Sequence, residues 1–327
     1  AVFTALTGAS GVTIVALGAL LLPALRQAGF SEHYSLGLVT SSGSLGLLLV
    51  PSVPLILYGV IAQQLDVGES FTIVDLFVAG IVPLCVMLGL LTAWTLWTHR
   101  GGKIPRTRFT WPEVWRAAVA ARWELPLPFI VLGGVFTGFF AVSEAAAVTA
   151  FYVLVAEVFL YREIKLRRVP GIMVESMVMV GGILLILGIA LAFTNFLVDA
   201  EVPQRLFEVM QTYISSPLGF LLLLNVLLLA LGAILDIFSA IVIMVPLLLP
   251  VAASYGIHPV HLGIVFLANM QIGYFTPPVG MNLFIASYRF DKPLLDLYRA
   301  TWPFMLVLLV ALALITYVPA LSLWFIS

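Results

Sequence analysis

The fold is decided by two stretches of the chain, LLLPALRQAGFSEHYSLGLVTSSGSLGLLLVPSVPLILYG at 20–59 and LLLPVAASYGIHPVHLGIVFLANMQIGYFTPPVGMNLFIA at 247–286. They align when the chain is shifted against itself so that the first letters of the two stretches coincide. The shift superposes two prolines and two glycines: Pro23 on Pro250, Gly29 on Gly256, Gly46 on Gly273 and Pro51 on Pro278. Leucine matches are common in an apolar chain, but this register of proline and glycine is not. Each copy therefore predicts a helix, a short turn and a second helix that glycine and proline break.

The composition predicts an all-α polytopic membrane protein. Of 327 residues, 62% are hydrophobic and 9% are charged, whereas about 25% are charged in an average soluble domain. A soluble fold could not keep this much apolar surface from water, and mean hydropathy is +1.15. A span needs about 20 mostly apolar residues. Candidate spans lie at roughly 10–25, 36–62, 74–98, 126–160, 171–198, 217–235, 237–254, 261–286 and 302–325.

Two of these segments predict chain reversals. The stretch 126–160 is too long for one span and is interrupted near 137–144, so we expect two segments. The stretches 217–235 and 237–254 meet at Asp236 without a polar loop, which predicts a re-entrant hairpin with its tip inside the membrane. Together with the repeat, this predicts inverted repeats with two re-entrant hairpins and two broken helices. Paired interrupted segments of this kind are the best sequence indication of a transporter binding site.

The basic residues predict the orientation in the membrane. All but Arg205 of the 15 lysines and arginines fall in four segments: 25–35, 99–125, 162–169 and 287–301. Cytoplasmic loops are enriched in these residues, so we place the four segments in the cytoplasm and the acidic loop 63–73 outside. The hairpins must then open to opposite sides. The segment 99–125 has tryptophans among Arg and Glu, which fits either an interfacial amphipathic helix or an ordinary connector with an aromatic belt.

These observations predict four parts. Residues 1–62 form a first-repeat transport element, a partial hairpin followed by a broken helix. Residues 63–216 form scaffold and arm helices that include the connector 99–125. Residues 217–286 form the second-repeat transport element, and residues 287–327 a C-terminal loop and the last span.

The two helix breaks are candidate cation sites. Proline lacks an N–H and clashes with the preceding turn, and the freed carbonyls are tolerated in a membrane only inside protein or beside a polar cavity. Hard cations take oxygen ligands of this kind. The candidate cation ligands at the breaks are Gly46, Pro51, Gly273, Thr276, Gly280 and Asn282, and Ser52 adds a hydroxyl. The alternative is a pair of proline kinks without an ion.

The hairpin tips provide further candidates. GASGVT at 8–13 aligns with LDIFSA at 235–240 under the same shift. Gly8 and Ser10 are candidate cation ligands, and small residues there fit either a ligand or close helix packing. Asp236 is an ionisable group between two apolar runs, which is a functional candidate by default. It fits either an ion ligand or a helix cap.

The candidate substrate-binding residues are Ser10, Thr13, Ser52, Asn269 and Thr276. Asn269 precedes the second break and fits either a cavity residue or a helix–helix hydrogen bond. Glu144 is a second deep carboxylate, and it fits either a site or the first turn of a helix, where acids are favoured.

Several function classes have no support. A net charge of −1 provides no basic face for nucleic acid, so we expect no nucleic-acid partner. The chain contains no Walker A, GxSxG or HExxH motif, and we expect no enzyme. The single cysteine, Cys85, excludes an intrachain disulfide.

Five segments resemble the large membrane subunit of the tripartite ATP-independent periplasmic (TRAP) transporters, in the family's order. They are GASGVTIVALGALLLPAL, SSGSLGLLLVPSVPLILYG, GGVFTGFFAVSEAAAV, LLLLNVLLLALGAILDIFSAIVIMVPLLLP and FTPPVGMNLFIAS. Members usually extend further at the N-terminus, so we expect the chain to begin within its first hairpin. Val50 stands where the family often has a second proline.

The resemblance implies an elevator-type symporter of the bacterial inner membrane. It implies Na⁺ as coupling ion, a periplasmic substrate-binding protein, a small membrane subunit, and organic-acid substrates such as C4-dicarboxylates or sialic acids. One alternative is a stand-alone sodium-coupled anion carrier without a binding protein, against which FTPPVGMNLF and GGVFTGFFAVSEAAAV favour the tripartite family. The other is a membrane enzyme or scaffold protein, which leaves the repeat unexplained and for which the sequence offers no catalytic cluster.

Overall fold

A computed structural model describes residues 4, 10–100, 110–201, 205, 207–209, 212, 214 and 216–326. The candidate Gly8 lies outside these residues. The chain forms two compact units, one of Ala1–Pro105 with Gly188–Ser327 and one of Arg106–Leu187. Over the described ranges the regular structure is helical, without a strand.

The helices follow the chain in the order α1 (Ser10–Gln27), α2 (Glu32–Ser42), α3 (Val53–Gln64), α4 (Ile73–Thr98), α5 (Trp111–Ala120), α6 (Pro126–Phe136), α7 (Val142–Val155), α8 (Val169–Asp199), α9 (Pro217–Ile234), α10 (Ile237–Ser254), α11 (Pro259–Gly273), α12 (Met281–Phe290), α13 (Leu294–Tyr317) and α14 (Ala320–Leu323). A 3₁₀ turn, Leu45–Leu48, separates α2 from α3, and a π turn, Ala156–Leu160, continues α7. Within the described chain, six helices are long and apolar enough to cross a membrane, or seven if the pair around the first break, bent by 41°, counts as one span. The prediction of a polytopic helical membrane protein is confirmed.

The predicted repeat reappears in the helix boundaries. Both α1 and α10 have 18 residues, and their first and last residues coincide under the shift that aligns the two stretches. The first residues of α2 and α11 coincide under the same shift, and each of these helices leads into a break and a second helix. The repeats exchange partners, because α1 packs against α12 while α10 packs against α3. Reciprocal packing of this kind is what a two-fold relation between repeats produces.

The repeats meet where α2 and α11 end. The Ser44 hydroxyl donates a hydrogen bond to the Gln271 carbonyl across 2.8 Å, and these two residues occupy aligned positions of the repeat. The helix α9 also approaches α11 closely at this end, since a Cβ built on Gly273 would lie 2.6 Å from the Cα of Gly232. The two breaks therefore lie back to back in a closely packed region.

The turns at the two ends of the span α2–α3 make reciprocal contacts through glutamate side chains. Glu32, at the start of α2, lies 2.8 Å from the Lys292 ammonium and 3.6 Å from the Arg26 guanidinium. Glu69, which follows α3, lies 3.5 Å from the His258 ring nitrogen. Because the bent pair is a candidate span, these contacts lie at its opposite ends. The basic segments 25–35 and 287–301 thus share one end, as their predicted cytoplasmic location requires.

The last loop differs from its prediction. The segment 287–301 is mostly helical, because α12 continues to Phe290 and α13 begins at Leu294. The charged residues that indicated a loop lie at the ends of these helices, and the turn between them is short. The last span therefore begins before residue 302.

The unit 106–187 contains the arm helices. The helix α5 exposes Trp111 and Trp115, so the described part of the connector 99–125 contains a helix. The long stretch 126–160 is divided into α6 and α7, as predicted. Glu144 lies in the first turn of α7, where its carboxylate accepts the Ala141 N–H at 2.9 Å. This contact is the helix-capping alternative for that residue.

Candidate functional site

A cavity of about 500 Å³ lies between the starts of α1 and α10. Residues of α1, of the first break, of α10, of the second break and of α12 line it, among them Ser10, Leu47, Asp236, Ile237, Tyr274 and Met281. Two pairs of these residues occupy aligned positions of the repeat: Ser10 with Ile237, and Leu47 with Tyr274. The cavity therefore lies where the two repeats face each other. Its described lining contains no lysine, arginine or histidine, and its one formal charge is that of Asp236.

Asp236 caps α10 and lines the cavity at once. One carboxylate oxygen accepts the N–H groups of Phe238 and Ser239, both at 3.0 Å, and the other accepts the Ser239 hydroxyl at 2.6 Å. An aspartate at an N-cap satisfies N–H groups that have no partner in the helix and complements the helix dipole. The capping role anticipated for this residue is therefore present, and the carboxylate also borders the cavity.

The second break is hydrogen-bonded to both helices of its own hairpin, α9 and α10. The Tyr274 hydroxyl accepts the Ile237 N–H at 2.6 Å, so it satisfies the first N–H of α10. The Gly280 N–H donates to the Ala233 carbonyl, near the end of α9, at 2.9 Å. Gly280 has φ +49°, a left-handed conformation that glycine adopts without steric cost.

The tip of α1 is fastened to the second repeat. The Ser10 hydroxyl donates to the side-chain oxygen of Asn282 across 2.7 Å, which leaves the buried Asn282 side-chain nitrogen without a partner among the described residues. Thr13 lies one turn further along α1 and bonds to the Thr4 hydroxyl at 3.0 Å. Thr13 does not line the cavity, so the structure brings Ser10, and not Thr13, to the candidate site.

The second break presents several oxygen atoms. The half-buried Thr276 hydroxyl donates to the Ile272 carbonyl at 2.9 Å and lies 3.6 Å from the Met305 sulfur, and among the described residues no donor uses its lone pairs. The carbonyls of Gly273 and Pro278 each accept one hydrogen bond, from Thr276 N–H and from the Tyr298 hydroxyl. A carbonyl oxygen has two lone pairs, so each retains capacity for a cation.

The first break is more enclosed. Ser52 is buried, and its hydroxyl donates to the Leu47 carbonyl at 2.5 Å. The Gly46 carbonyl accepts the Leu49 N–H at 3.1 Å. The helix α4 covers this break so closely that a Cβ built on Gly80 would collide with the Leu48 carbonyl oxygen. The break therefore lies under α4, while Leu47 reaches the cavity.

Asn269 faces a different part of the protein. Its side-chain nitrogen donates to the Asn225 side-chain oxygen at 2.7 Å and to the Val265 carbonyl at 2.8 Å, and its own oxygen has no partner among the described residues. Asn225 belongs to α9, and Asn269 does not line the cavity. The structure thus places Asn269 in the contact between α9 and α11.

Four residues were not identified as candidates from the sequence: Tyr274, Ile237, Leu47 and Gln271. Leu47 and Ile237 are apolar, Tyr274 is aromatic and Gln271 is uncharged. The repeat alignment contained the signal, because it places Leu47 on Tyr274 and Ser44 on Gln271. A second cavity of about 510 Å³ is lined by Glu69, His258 and His261, among others. It includes no residue of either break and none of the candidate site residues.

A helical membrane protein in which two repeats with broken helices enclose a cavity has the architecture of a solute transporter. The chain belongs to the tripartite ATP-independent periplasmic transporters, in which it matches the model of the DctM component over residues 1–321. The family transports solutes and is not enzymatic, and the chain is a large permease subunit of the bacterial inner membrane.

The relatives share most of the chain. The C4-dicarboxylate TRAP transporter large permease protein DctM of Rhodobacter capsulatus is 38% identical, covering 99% of this chain and 75% of that protein. The protein of the same description from Pseudomonas aeruginosa is 36% identical, covering 98% and 74%. The isethionate TRAP transporter permease protein DctMQ of Oleidesulfovibrio alaskensis is 34% identical, covering 99% of this chain and 50% of that protein.

Proposed function

We propose that this permease subunit imports a small organic acid, such as a C4-dicarboxylate or a sialic acid, together with sodium ions. A periplasmic binding protein delivers the acid, and a small membrane subunit completes the permease. The observation that carries the proposal is the cavity between the repeats, whose described lining includes the Asp236 carboxylate and no basic side chain.

The charge of this cavity accounts for a need for sodium. Two like unit charges about 4 Å apart repel by about 4 kcal/mol at an effective dielectric constant of about 20. An organic anion that enters a cavity bordered by Asp236 therefore needs nearby positive charge, which the described lining does not supply. Bound cations supply it, and each cation that accompanies the anion couples its import to the sodium gradient.

The donor set of the breaks suits sodium. Alkali cations take oxygen ligands, and main-chain carbonyls and hydroxyls are the oxygens available at both breaks. At the second break we assign the Thr276 hydroxyl with the carbonyls around Gly273 and Gly280. At the first, the carbonyls around Gly46 and Pro51 take the corresponding positions.

Alternating access follows an elevator mechanism in this proposal. Hydrogen bonds join Ser10 to Asn282, Ser44 to Gln271 and Ile237 to Tyr274. These bonds link both hairpin tips and both breaks. They therefore favour movement of the two transport elements, 1–62 and 217–286, as one body. The inverted orientation of the hairpins then exposes the cavity to one side of the membrane at a time.

The partners are proposed from the family and its names. The match to the relative called DctMQ covers only half of that protein's length. This fits a large and a small subunit joined in one polypeptide. We propose that a small subunit, fused or separate, completes the permease here as well.

The test is uptake into proteoliposomes that contain both membrane subunits, with the binding protein outside. The proposal predicts accumulation of radiolabelled succinate, isethionate or sialic acid when sodium is higher outside, without ATP. Accumulation without a sodium gradient would contradict sodium coupling. Undiminished accumulation without the binding protein would instead favour the stand-alone carrier.

A further inference from the structure

One hydrogen-bond donor at the cavity has no acceptor among the described residues. A tyrosine hydroxyl has one hydrogen to donate and lone pairs to accept with. The Tyr274 hydroxyl accepts the Ile237 N–H at 2.6 Å, but it donates to no acceptor among the described residues. The side chain is 2% exposed, and buried donors in native proteins normally have an acceptor.

The residues on both sides of this hydrogen bond line the cavity. Its partner Ile237 is the first residue of α10, and Tyr274, Ile237 and the flanking residues Asp236 and Phe238 all line the cavity. The hydroxyl is thus held by α10 through its oxygen, which leaves its hydrogen to turn toward the cavity.

The other donors nearby are already engaged. The Ser10 hydroxyl donates to Asn282, and the N–H groups of Phe238 and Ser239 donate to Asp236. The N-terminus of α10, a usual anion site, is therefore occupied by Tyr274 and Asp236. A second donor without a partner among the described residues is the side-chain nitrogen of Asn282. The side-chain oxygen of the same residue accepts the Ser10 hydroxyl.

We infer that Tyr274 is a substrate-binding residue, whose hydroxyl donates a hydrogen bond to an anionic oxygen of the transported acid while its oxygen holds the tip of α10. The inference rests on the proposed function and names the chemistry of the same cavity. Recognition of the acid then uses neutral donors, and the charge is balanced by sodium.

This inference also changes the role expected of Asn282. The Asn282 side-chain oxygen already accepts the Ser10 hydroxyl, so the free part of the amide is a donor. A donor suits an anion, whereas a sodium ligand must present an oxygen. The amide nitrogen of Asn282 can therefore support the anion site, while its side-chain oxygen accepts one hydrogen bond, has two lone pairs and remains a candidate cation ligand.

The test separates donation to substrate from support of α10. Tyr274→Phe removes the hydroxyl and keeps the ring. Ser239→Ala is the matched control, because the Ser239 hydroxyl also holds the start of α10, by donating to Asp236 at 2.6 Å, but Ser239 does not line the cavity. Both variants are measured in the full permease with its binding protein, with succinate, isethionate and sialic acid as probes.

Loss of a hydrogen bond to a charged group weakens binding by about tenfold or more. We expect Tyr274→Phe to raise the KM of each probe that is transported about tenfold, without moving the sodium concentration for half-maximal uptake, and Ser239→Ala to leave the KM unchanged. An unchanged KM in Tyr274→Phe overturns the inference, as does an equal rise in Ser239→Ala, because disturbance of α10 then accounts for the effect. A shift in sodium dependence alone overturns it too. If the unaltered permease takes up none of the probes with sodium, the proposed function fails, and the inference fails with it.

Discussion

The Ser10 hydroxyl and the Asn282 side-chain oxygen are 2.7 Å apart and 272 residues apart in sequence. The bond joins the tip of α1, in the first repeat, to the helix that follows the break in the second. It is buried, and it lies beside the cavity that both repeats line. Residues from both halves of the chain thus form the candidate site.

Thr276→Val should raise the sodium concentration needed for half-maximal uptake. Valine keeps the β-branched shape and deletes the hydroxyl oxygen assigned to sodium. A loss of about 1.4 kcal/mol in ion binding is a tenfold change in affinity. The matched control is Thr301→Val, because Thr301 also donates to the carbonyl four residues earlier at 2.9 Å but lies in α13. Equal sodium dependence in Thr276→Val and the unaltered protein would remove the ion from this break.

Asp236→Asn and Asp236→Ala should separate charge from capping. Asparagine is a good N-cap, so Asp236→Asn should retain stability and still alter the sodium dependence of uptake. Asp236→Ala should in addition lower the free energy of unfolding by about 1 kcal/mol.

The control for capping alone is Ser216→Ala, which removes the N-cap of α9 that accepts the Gly219 N–H at 3.1 Å. It should lower stability without changing sodium dependence. If Asp236→Asn behaves like the unaltered protein in uptake, the carboxylate serves only as a cap.

Gly273→Ala should destabilise the protein by about 1–3 kcal/mol, the usual cost of forcing atoms into a packed site. The new Cβ would lie 2.6 Å from the Cα of Gly232, so backbone must move. Thermal unfolding in detergent measures this, with Gly89→Ala as control because a Cβ at Gly89 meets nothing within 4 Å. Equal melting temperatures of the two variants would contradict the close contact of α9 and α11.

Val67→Cys should react with a membrane-impermeant thiol reagent in intact cells, and Ile104→Cys should not, once Cys85 is replaced. The expectation follows from the basic residues of 99–125 and the acids of 63–73, and from the glutamate contacts at opposite ends of the α2–α3 span. Labelling at Ile104→Cys without labelling at Val67→Cys would invert the topology.

The repeat was predictable because proline and glycine fix the backbone geometry locally, so they occupy matching positions in both copies. Leucine is too common in this chain for its matches to indicate a repeat. In the structure, the same alignment relates the starts of α10 and α11 to those of α1 and α2. Tyr274 was not predictable as a partner of Ile237, because that bond depends on how α10 packs on the second break. The helical character of 287–301 was missed because charged residues at helix ends resemble those of a loop.

In the proposed mechanism, the cavity between the repeats carries an organic anion together with sodium. The most direct measurement is the simultaneous influx of radiolabelled sodium and radiolabelled substrate into proteoliposomes containing the complete transporter, with and without Asp236→Asn. We expect a fixed number of sodium ions to enter with each substrate molecule, and an altered sodium dependence in Asp236→Asn. Substrate influx without accompanying sodium influx would contradict it.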